Sequence, residues 1–223
     1  MNKKTTVFAA ILFSLLSLTI SYAKEPKNLD TIKASLIKYH DSGAYQKDQT
    51  KVIDQAMQYL KTRLAQEKKA THKKKLAIVL DIDETSLSNY PDMVKLSFGG
   101  SLEDISEAEG KGDDPAITPT LELYRYAKSN NVAVFFITGR TEGYRTGTEK
   151  NLADAGYSNW DGLTLRPTDY KEKSISTFKI REREKIKKQG YDIVLNIGDQ
   201  QSDLVGGYAD KTFKLPNPYY FLP

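Results

Sequence analysis

The chain is 223 residues long, 39% hydrophobic and 28% charged, with 33 Lys and Arg against 29 Asp and Glu, for a formal charge of +4. That length suits one domain with a modest attachment and a sizeable core, and the near balance of charge excludes the strongly basic field that a nucleic-acid polymer needs. The absence of cysteine excludes disulfides, thiolate metal sites and cysteine nucleophiles.

Residues 1–23 differ in kind from the rest. Lys3 and Lys4 precede a mostly apolar run over residues 7–20, and Ser21, Tyr22 and Ala23 stand before Lys24. A charged start, a short apolar middle and a small-residue cleavage site together predict a secretory signal peptide. The uncharged span 5–23 is also long enough to reach across a bilayer, so an uncleaved anchor is the competing reading. No cysteine follows, which excludes a lipid-anchored start. Losing Lys3 and Lys4 with the leader lowers the formal charge from +4 to +2. Export without disulfides points to a bacterial periplasm or the medium.

Residues 24–30 are polar and contain Pro26, as in a loose arm. From residue 29 to about 66 the pattern turns helical: Ile53, Met57, Leu60 and Leu64 share one face, which needs a partner and is expected to pack on the domain that follows. Lys68, Lys69, Lys73, Lys74 and Lys75 then read as solvated charge in a helix-to-strand connection.

Residues 76–80, Leu-Ala-Ile-Val-Leu, form an apolar run without alternation, as expected of a central strand covered on both faces. Asp81 and Asp83 emerge at its carboxyl end, the edge where open α/β sheets bind ligands. Such a pair either shares a divalent cation, one acid serving as nucleophile and the other moving protons, or merely ends a strand and opens a turn. Residues 86–117 are rich in Ser, Gly, Asp and Glu, too long for a routine connection, and placed to act as a lid over the carboxylates.

A helix is predicted from Thr118 as cap, with Pro119 in the first turn and Leu121, Tyr124 and Ala127 inward; Asn130 and Asn131 end it. Residues 132–137 predict a second buried strand, followed by a turn at Thr138, Gly139 and Arg140. Residues 141–155 look helical despite Gly143 and Gly147, residues 162–165 form a short strand, and residues 176–189 a charged helix ended by Gly190. Residues 193–197 are the last strong strand, closing on Gly198 and Asp199. Strands alternating with helices predict an α/β fold on a parallel sheet.

In such a sheet the strand ends share one edge, which gathers three carboxylates, a hydroxyl, glycine amides and a helix lysine. Each residue type has a reason to be there if the substrate carries a phosphate. Asp81 attacks phosphorus to form a phosphoaspartyl intermediate, and Asp83 protonates the leaving alkoxide and then activates water. Asp81, the main-chain carbonyl of Asp83 and Asp199 hold Mg²⁺. Thr138 and the Gly139 amide bond the phosphoryl oxygens while a lysine offsets charge.

The order DxDxT, TGR after an apolar strand, a lysine, then GDxxxD resembles the haloacid dehalogenase (HAD) superfamily of phosphatases. More narrowly, DIDETSLSN, FFITGR, FKIREREKIKKQGYDIVLNIGDQQSDL and FKLPNPYYFLP resemble secreted acid phosphatases grouped with plant vegetative storage proteins and bacterial class B and class C enzymes. The similarity runs from about residue 31 to 223. It implies a Rossmann-like parallel sheet with helices on both faces: an amino-terminal helical extension over residues 24–75, a core over 76–223, and a small cap at about 86–117. It makes Asp81, Asp83 and Lys179 catalytic, assigns Thr138, Gly139 and Arg140 to substrate, assigns Asp81, Asp83 and Asp199 to the metal, and sets Asp203 behind them. Lys171 and Lys173 compete with Lys179, which stands twenty residues before Asp199 with Arg183 one helical turn on.

Arg140 reads as a substrate contact, an anchor for the lid, or a cap on the next helix. Tyr90, Phe98 and Trp160 read as platforms for a nucleobase or aryl leaving group, or as core. His40 and His72 fall outside every motif, which disfavours histidine phosphatase chemistry. The expected function is a secreted, Mg²⁺-dependent acid phosphatase of small phosphate monoesters. The alternatives are a catalytically weak phosphate-ester-binding or storage protein on the same scaffold, and phosphoryl transfer to an alcohol. The expected partner is a small-molecule phosphate monoester, with no nucleic-acid polymer and no membrane after leader removal; a homo-oligomer is compatible with the pattern.

Overall fold

A computed structural model describes residues 25–222; the leader expected over residues 1–23 lies outside the described residues. Two helices come first. In α1 (Leu29–Asp41) the Asn28 side chain accepts from the backbone N–H of Asp30 and Thr31, which caps the start. Gly43, at φ +79°, then turns the chain into α2 (Ala44–Lys69), so the expected single helical stretch is two helices with a break that needs a left-handed residue. Ile53 and Leu60 of the expected face are buried, and Met57 and Leu64 pack against the same core cluster.

The lysine run is not merely solvated. Lys73 Nζ closes the end of α2 by donating to the carbonyls of Glu67 and Lys68, Lys74 pairs with Asp192 at 3.1 Å, and Lys75 lies over the Tyr191 ring. Free carbonyls at a helix carboxyl end attract nearby ammonium groups.

The sheet contains, among the described residues, five parallel strands in the order β3-β2-β1-β4-β5: β1 (Lys75–Leu80), β2 (Ala133–Thr141), β3 (Gly162–Arg166), β4 (Tyr191–Gly198) and β5 (Lys211–Lys214). Successive side chains of a strand face opposite sides, and the core divides accordingly. Leu76, Ile78 and Leu80 of β1 join Val134 and Phe136 of β2 on the face that carries α2 and α5 (Thr118–Ser129). Ala77 and Val79 join Phe135 and Ile137 on the other face, against Phe178 and Ile186 of α7 (Ile175–Lys188). The α/β reading with helices on both faces holds.

Three details differ from expectation. Thr118 is the first residue of α5, and Ile117 holds the cap position without a side-chain hydrogen bond. Thr138, Gly139 and Arg140 lie inside the last part of β2 rather than in a turn beyond it, where the pairing with β3 slips between Ile137 and Thr141. The lid segment folds into α3 (Tyr90–Lys95) and α4 (Leu102–Lys111), the latter opened by a reciprocal Ser101 and Asp104 capping box. After a single turn of 3-10 helix, α6 (Arg145–Asp154) packs against α4. A short α8 (Gln201–Leu204) and strand β5 carry no strong apolar run and escaped the sequence reading.

Candidate active site

The chain leaves β1 to one side for β2 and β3, and returns across it to β4 and β5. The carboxyl ends of β1 and β4 therefore flank the point where the strand order reverses, the usual crevice of an open α/β sheet. Asp81 directly follows β1 and its amide donates to Ile197 O of β4 at 3.0 Å; Asp199 directly follows β4. The turn beyond Asp81 is tight: the amides of Thr85, Ser86 and Leu87 converge on Ile82 O, and Glu84 takes a left-handed φ of +48°. That conformation is unusual for a side chain with a Cβ, and such positions gather where function constrains the backbone.

Asp81, Asp199 and Asp203, all buried, each place a carboxylate oxygen within 4.8 Å of the other two. Lys179, from α7, is buried among them: its Nζ lies 2.6 Å from Asp81 Oδ1 and also bonds Asp203 Oδ1. Lys171 and Lys173 are exposed, whereas Lys179 reaches the carboxylates. Asp203, expected behind the ligands, sits inside the carboxylate cluster. Gly198 permits this, because a Cβ there would collide with the Asp203 side chain. Arg183, fully buried, grips the loop from behind through the carbonyls of Asp203, Val205 and Gly207.

One lysine cannot neutralise three carboxylates. Burial pushes the Asp81 carboxyl well above the ordinary range; Lys179 opposes this, and Asp203, Asp199 and Asp83 reinforce it. Burial and the Asp203 charge likewise raise Asp199 to about 6, against hydrogen bonds from Asn217 and Gln200. Burial alone lowers the Lys179 ammonium, but the Asp203 and Asp81 charges outweigh it and hold the group charged above its usual value. Excess negative charge on hard oxygen donors in a buried cluster fits a divalent cation of the Mg²⁺ kind.

The Asp83 carboxylate turns elsewhere. Arg140 Nη2 and Nε donate to it at 2.7 and 3.0 Å, and Asn89 Nδ2 at 3.0 Å. Burial favours the neutral acid, yet the Arg140 charge and hydrogen bonds win and hold the group below the ordinary range. Arg140 has no exposed side-chain surface and spends its other donors on Asp114 Oδ2 at 2.9 Å and the Glu109 carbonyl at 3.2 Å. The guanidinium thus ties Asp83 to the lid, the anchoring role among the three expected of it. Thr138 is buried, its Oγ1 accepting from the Arg140 amide at 3.1 Å, and Gly139 O accepts from Arg166 Nε.

The aromatics are packing residues. Trp160 lies edge-on to Phe136 in the main core, while Tyr90 and Phe98 join Tyr45, Met93 and Tyr219 in a smaller cluster, with His40 stacked on Tyr90.

Several residues of this region carried no strong signal in the chain. Glu84 is fully buried, accepting from the Asn89 amide at 2.7 Å, the Ser88 hydroxyl at 3.2 Å and the Tyr45 hydroxyl of α2. Burial raises its pKa to about 8 despite those bonds. Asn217 and Gln200 both donate to Asp199 Oδ2. An acid between two motif positions, and an asparagine between two prolines after a strand, were the only local hints.

A family model described as HAD superfamily, subfamily IIIB (Acid phosphatase) matches residues 4–223. Stem 28 kDa glycoprotein of Glycine max is 41% identical over 152 residues, covering 65% of this chain and 59% of that protein. Acid phosphatase 1 of Solanum lycopersicum is 38% identical over 148 residues, covering 65% and 58%. Vegetative storage protein 1 of Arabidopsis thaliana is 31% identical over 207 residues, covering 88% and 74%. The match therefore spans somewhat under two thirds of the length of the first two curated relatives. Among solved structures, the class C acid phosphatase from Bacillus anthracis superposes with a TM-score of 0.71 at 23% identity, covering 86% of each chain, a likeness of fold.

Proposed function

Because the chain belongs to subfamily IIIB of the HAD superfamily, the acid phosphatase subfamily, we propose that it hydrolyses small phosphate monoesters, with Asp81 as nucleophile. The observation that carries this reading is the buried pairing of Asp81 with Lys179, within a cluster that also holds Asp199 and Asp203. An Asp81 oxygen attacks phosphorus; the new P–O bond forms as the bond to the leaving alcohol breaks, and Asp83, ionised beside Arg140 in the free chain, relays to the departing alkoxide the proton that a monoanionic phosphate ester brings. Water then attacks the same phosphorus and gives its proton to Asp83, while the bond to Asp81 breaks to free inorganic phosphate. Lys179 balances negative charge at the nucleophile, Thr138 and the Gly139 amide receive phosphoryl oxygens, and Arg140 keeps Asp83 in one orientation. A Mg²⁺ ion held by Asp81, the Asp83 carbonyl and Asp199 would supply neutralisation of the site and of the phosphate. The leader of residues 1–23 fits delivery to the periplasm or the medium.

Vegetative storage proteins among the relatives favour a second reading, a catalytically weak phosphate-ester-binding or storage protein on the same scaffold. Turnover separates the two. Purified full chain with p-nitrophenyl phosphate and Mg²⁺ is expected to release nitrophenol, and Asp81→Asn to lose at least about a thousandfold in kcat while keeping its fold by circular dichroism. Activity retained in Asp81→Asn removes that residue as nucleophile; an inert parent protein supports storage.

A further inference from the structure

The carboxyl-terminal segment beyond β5 has no part in the chemistry above, yet it closes on the end of β4. β5 runs beside β4 with Lys214 opposite Gly198. The chain then grips three successive residues. Leu215 N–H donates to Gly198 O at 2.9 Å, and Lys214 Nζ donates to Asp199 O at 2.8 Å. Asn217 Nδ2 donates to Asp199 Oδ2 at 2.7 Å, and Leu222 N–H donates to the Gln200 Oε1 at 3.2 Å. Gln200 Nε2 in turn reaches the same Asp199 Oδ2 at 2.6 Å.

Asn217 is itself held. Its Oδ1 accepts from the backbone N–H of Tyr219 at 2.9 Å and of Tyr220 at 3.4 Å, which settles the amide orientation: turned over, it would set a carbonyl oxygen against a carboxylate oxygen. Pro216 and Pro218 flank it with fixed φ, and Pro216 O accepts from the Tyr45 hydroxyl of α2 at 3.1 Å. With two N–H donors on Oδ2, the Asp199 carboxylate cannot rotate without breaking both. Among the described residues its other oxygen, Oδ1, has one hydrogen bond, from the Thr85 hydroxyl at 3.3 Å, and is the one left for the cluster with Asp81 and Asp203. Three close carboxylates repel one another, so an unheld Asp199 would swing away whenever the cation left.

We propose that Asn217 is a positioning residue for the metal site: its amide N–H presets the Asp199 carboxylate for a divalent cation. The proposal rests on the phosphatase reading for the identity of that ion as Mg²⁺. Removing hydrogen bonds behind a metal ligand costs about 10- to 100-fold in affinity. The test is calorimetric titration of MgCl₂ into the full chain without substrate, for the parent protein, Asn217→Ala and Asn217→Ser. A serine hydroxyl still caps the turn as an acceptor but lacks the reach to donate to Asp199, so the second variant separates the two duties of Asn217. Both variants are expected to bind Mg²⁺ at least about tenfold more weakly, with Asn217→Ser melting near the parent. Parent-like Mg²⁺ affinity in Asn217→Ser overturns the proposal, whether or not Asn217→Ala has kept its fold, because the turn alone would then be what Asn217 serves. A parent protein that binds no Mg²⁺ overturns this proposal and the metal site together; a parent that binds while Asn217→Ser is unchanged leaves the phosphatase reading intact.

Discussion

Arg140 shows how much one buried side chain organises. It pairs with both Asp83 and Asp114 and holds the Glu109 carbonyl, so the proposed proton-transfer residue and the lid share one cation. Arg140→Ala leaves two acids uncompensated in the interior and is expected to destabilise the fold by about 3–5 kcal/mol, read as a lowered midpoint in urea unfolding. A shift below about 1 kcal/mol would mean that the pairs behave as solvated surface pairs. Asp81 and Asp199 were legible in the chain because each follows an apolar strand. The partners of Arg140 were not: Asp114 and Glu109 lie in a segment without periodicity, and only folding brings them to the end of β2.

At the scale of elements, the lid is fastened to the core by glycine. Gly147 in α6 approaches Gly110 in α4 so closely that a Cβ would meet Gly110 O, and Gly112, at φ +69°, faces Gly147 O in the same way. The sequence reading treated Gly147 as a blemish in a helix; the contact is its reason. Gly147→Ala improves helix propensity by up to about 1 kcal/mol, but overpacking against backbone that cannot swing aside costs about 1–3 kcal/mol. The expected outcome is net destabilisation in urea with faster proteolytic cutting in residues 96–117. A stabilised variant would show that the two helices part readily. The lid helices α3 and α4 were beyond the sequence because they are short, polar and held by contacts with distant segments.

Across the whole molecule, the end of the sheet opposite the site carries its own charge network. Asp192, at the start of β4, pairs with Lys187 of α7 at 2.9 Å, with Arg63 of α2 at 3.1 Å and with Lys74, just before β1, at 3.1 Å, so that it links both layers. Burial would raise the Asp192 carboxyl, but the hydrogen bonds and charges of Lys187 and Lys74 hold it below the ordinary carboxylate range. A depressed folded-state pKa means that the unfolded chain binds the proton first. The stabilisation is therefore complete above about pH 4 and lost as pH falls through the folded value. Asp192→Asn is expected to lower the melting temperature at pH 7 and to narrow its gap from the parent in strong acid. A gap that stays constant with pH would exclude this ionisation as its source.

Local order in the chain determined the strands β1, β2 and β4, the alternation with helices and the acids at the strand ends, because an apolar run and the residue that stops it are neighbours. The tertiary structure decided which groups share charge: Asp203 inside the cluster, Arg140 between acid and lid, Tyr45 on Glu84, Asn217 on Asp199. Those contacts join segments up to 171 residues apart, as Tyr45 and Pro216 show. Hydrogen bonds and ion pairs act over a few ångströms of space, and only the packing of the sheet and its helices sets that distance.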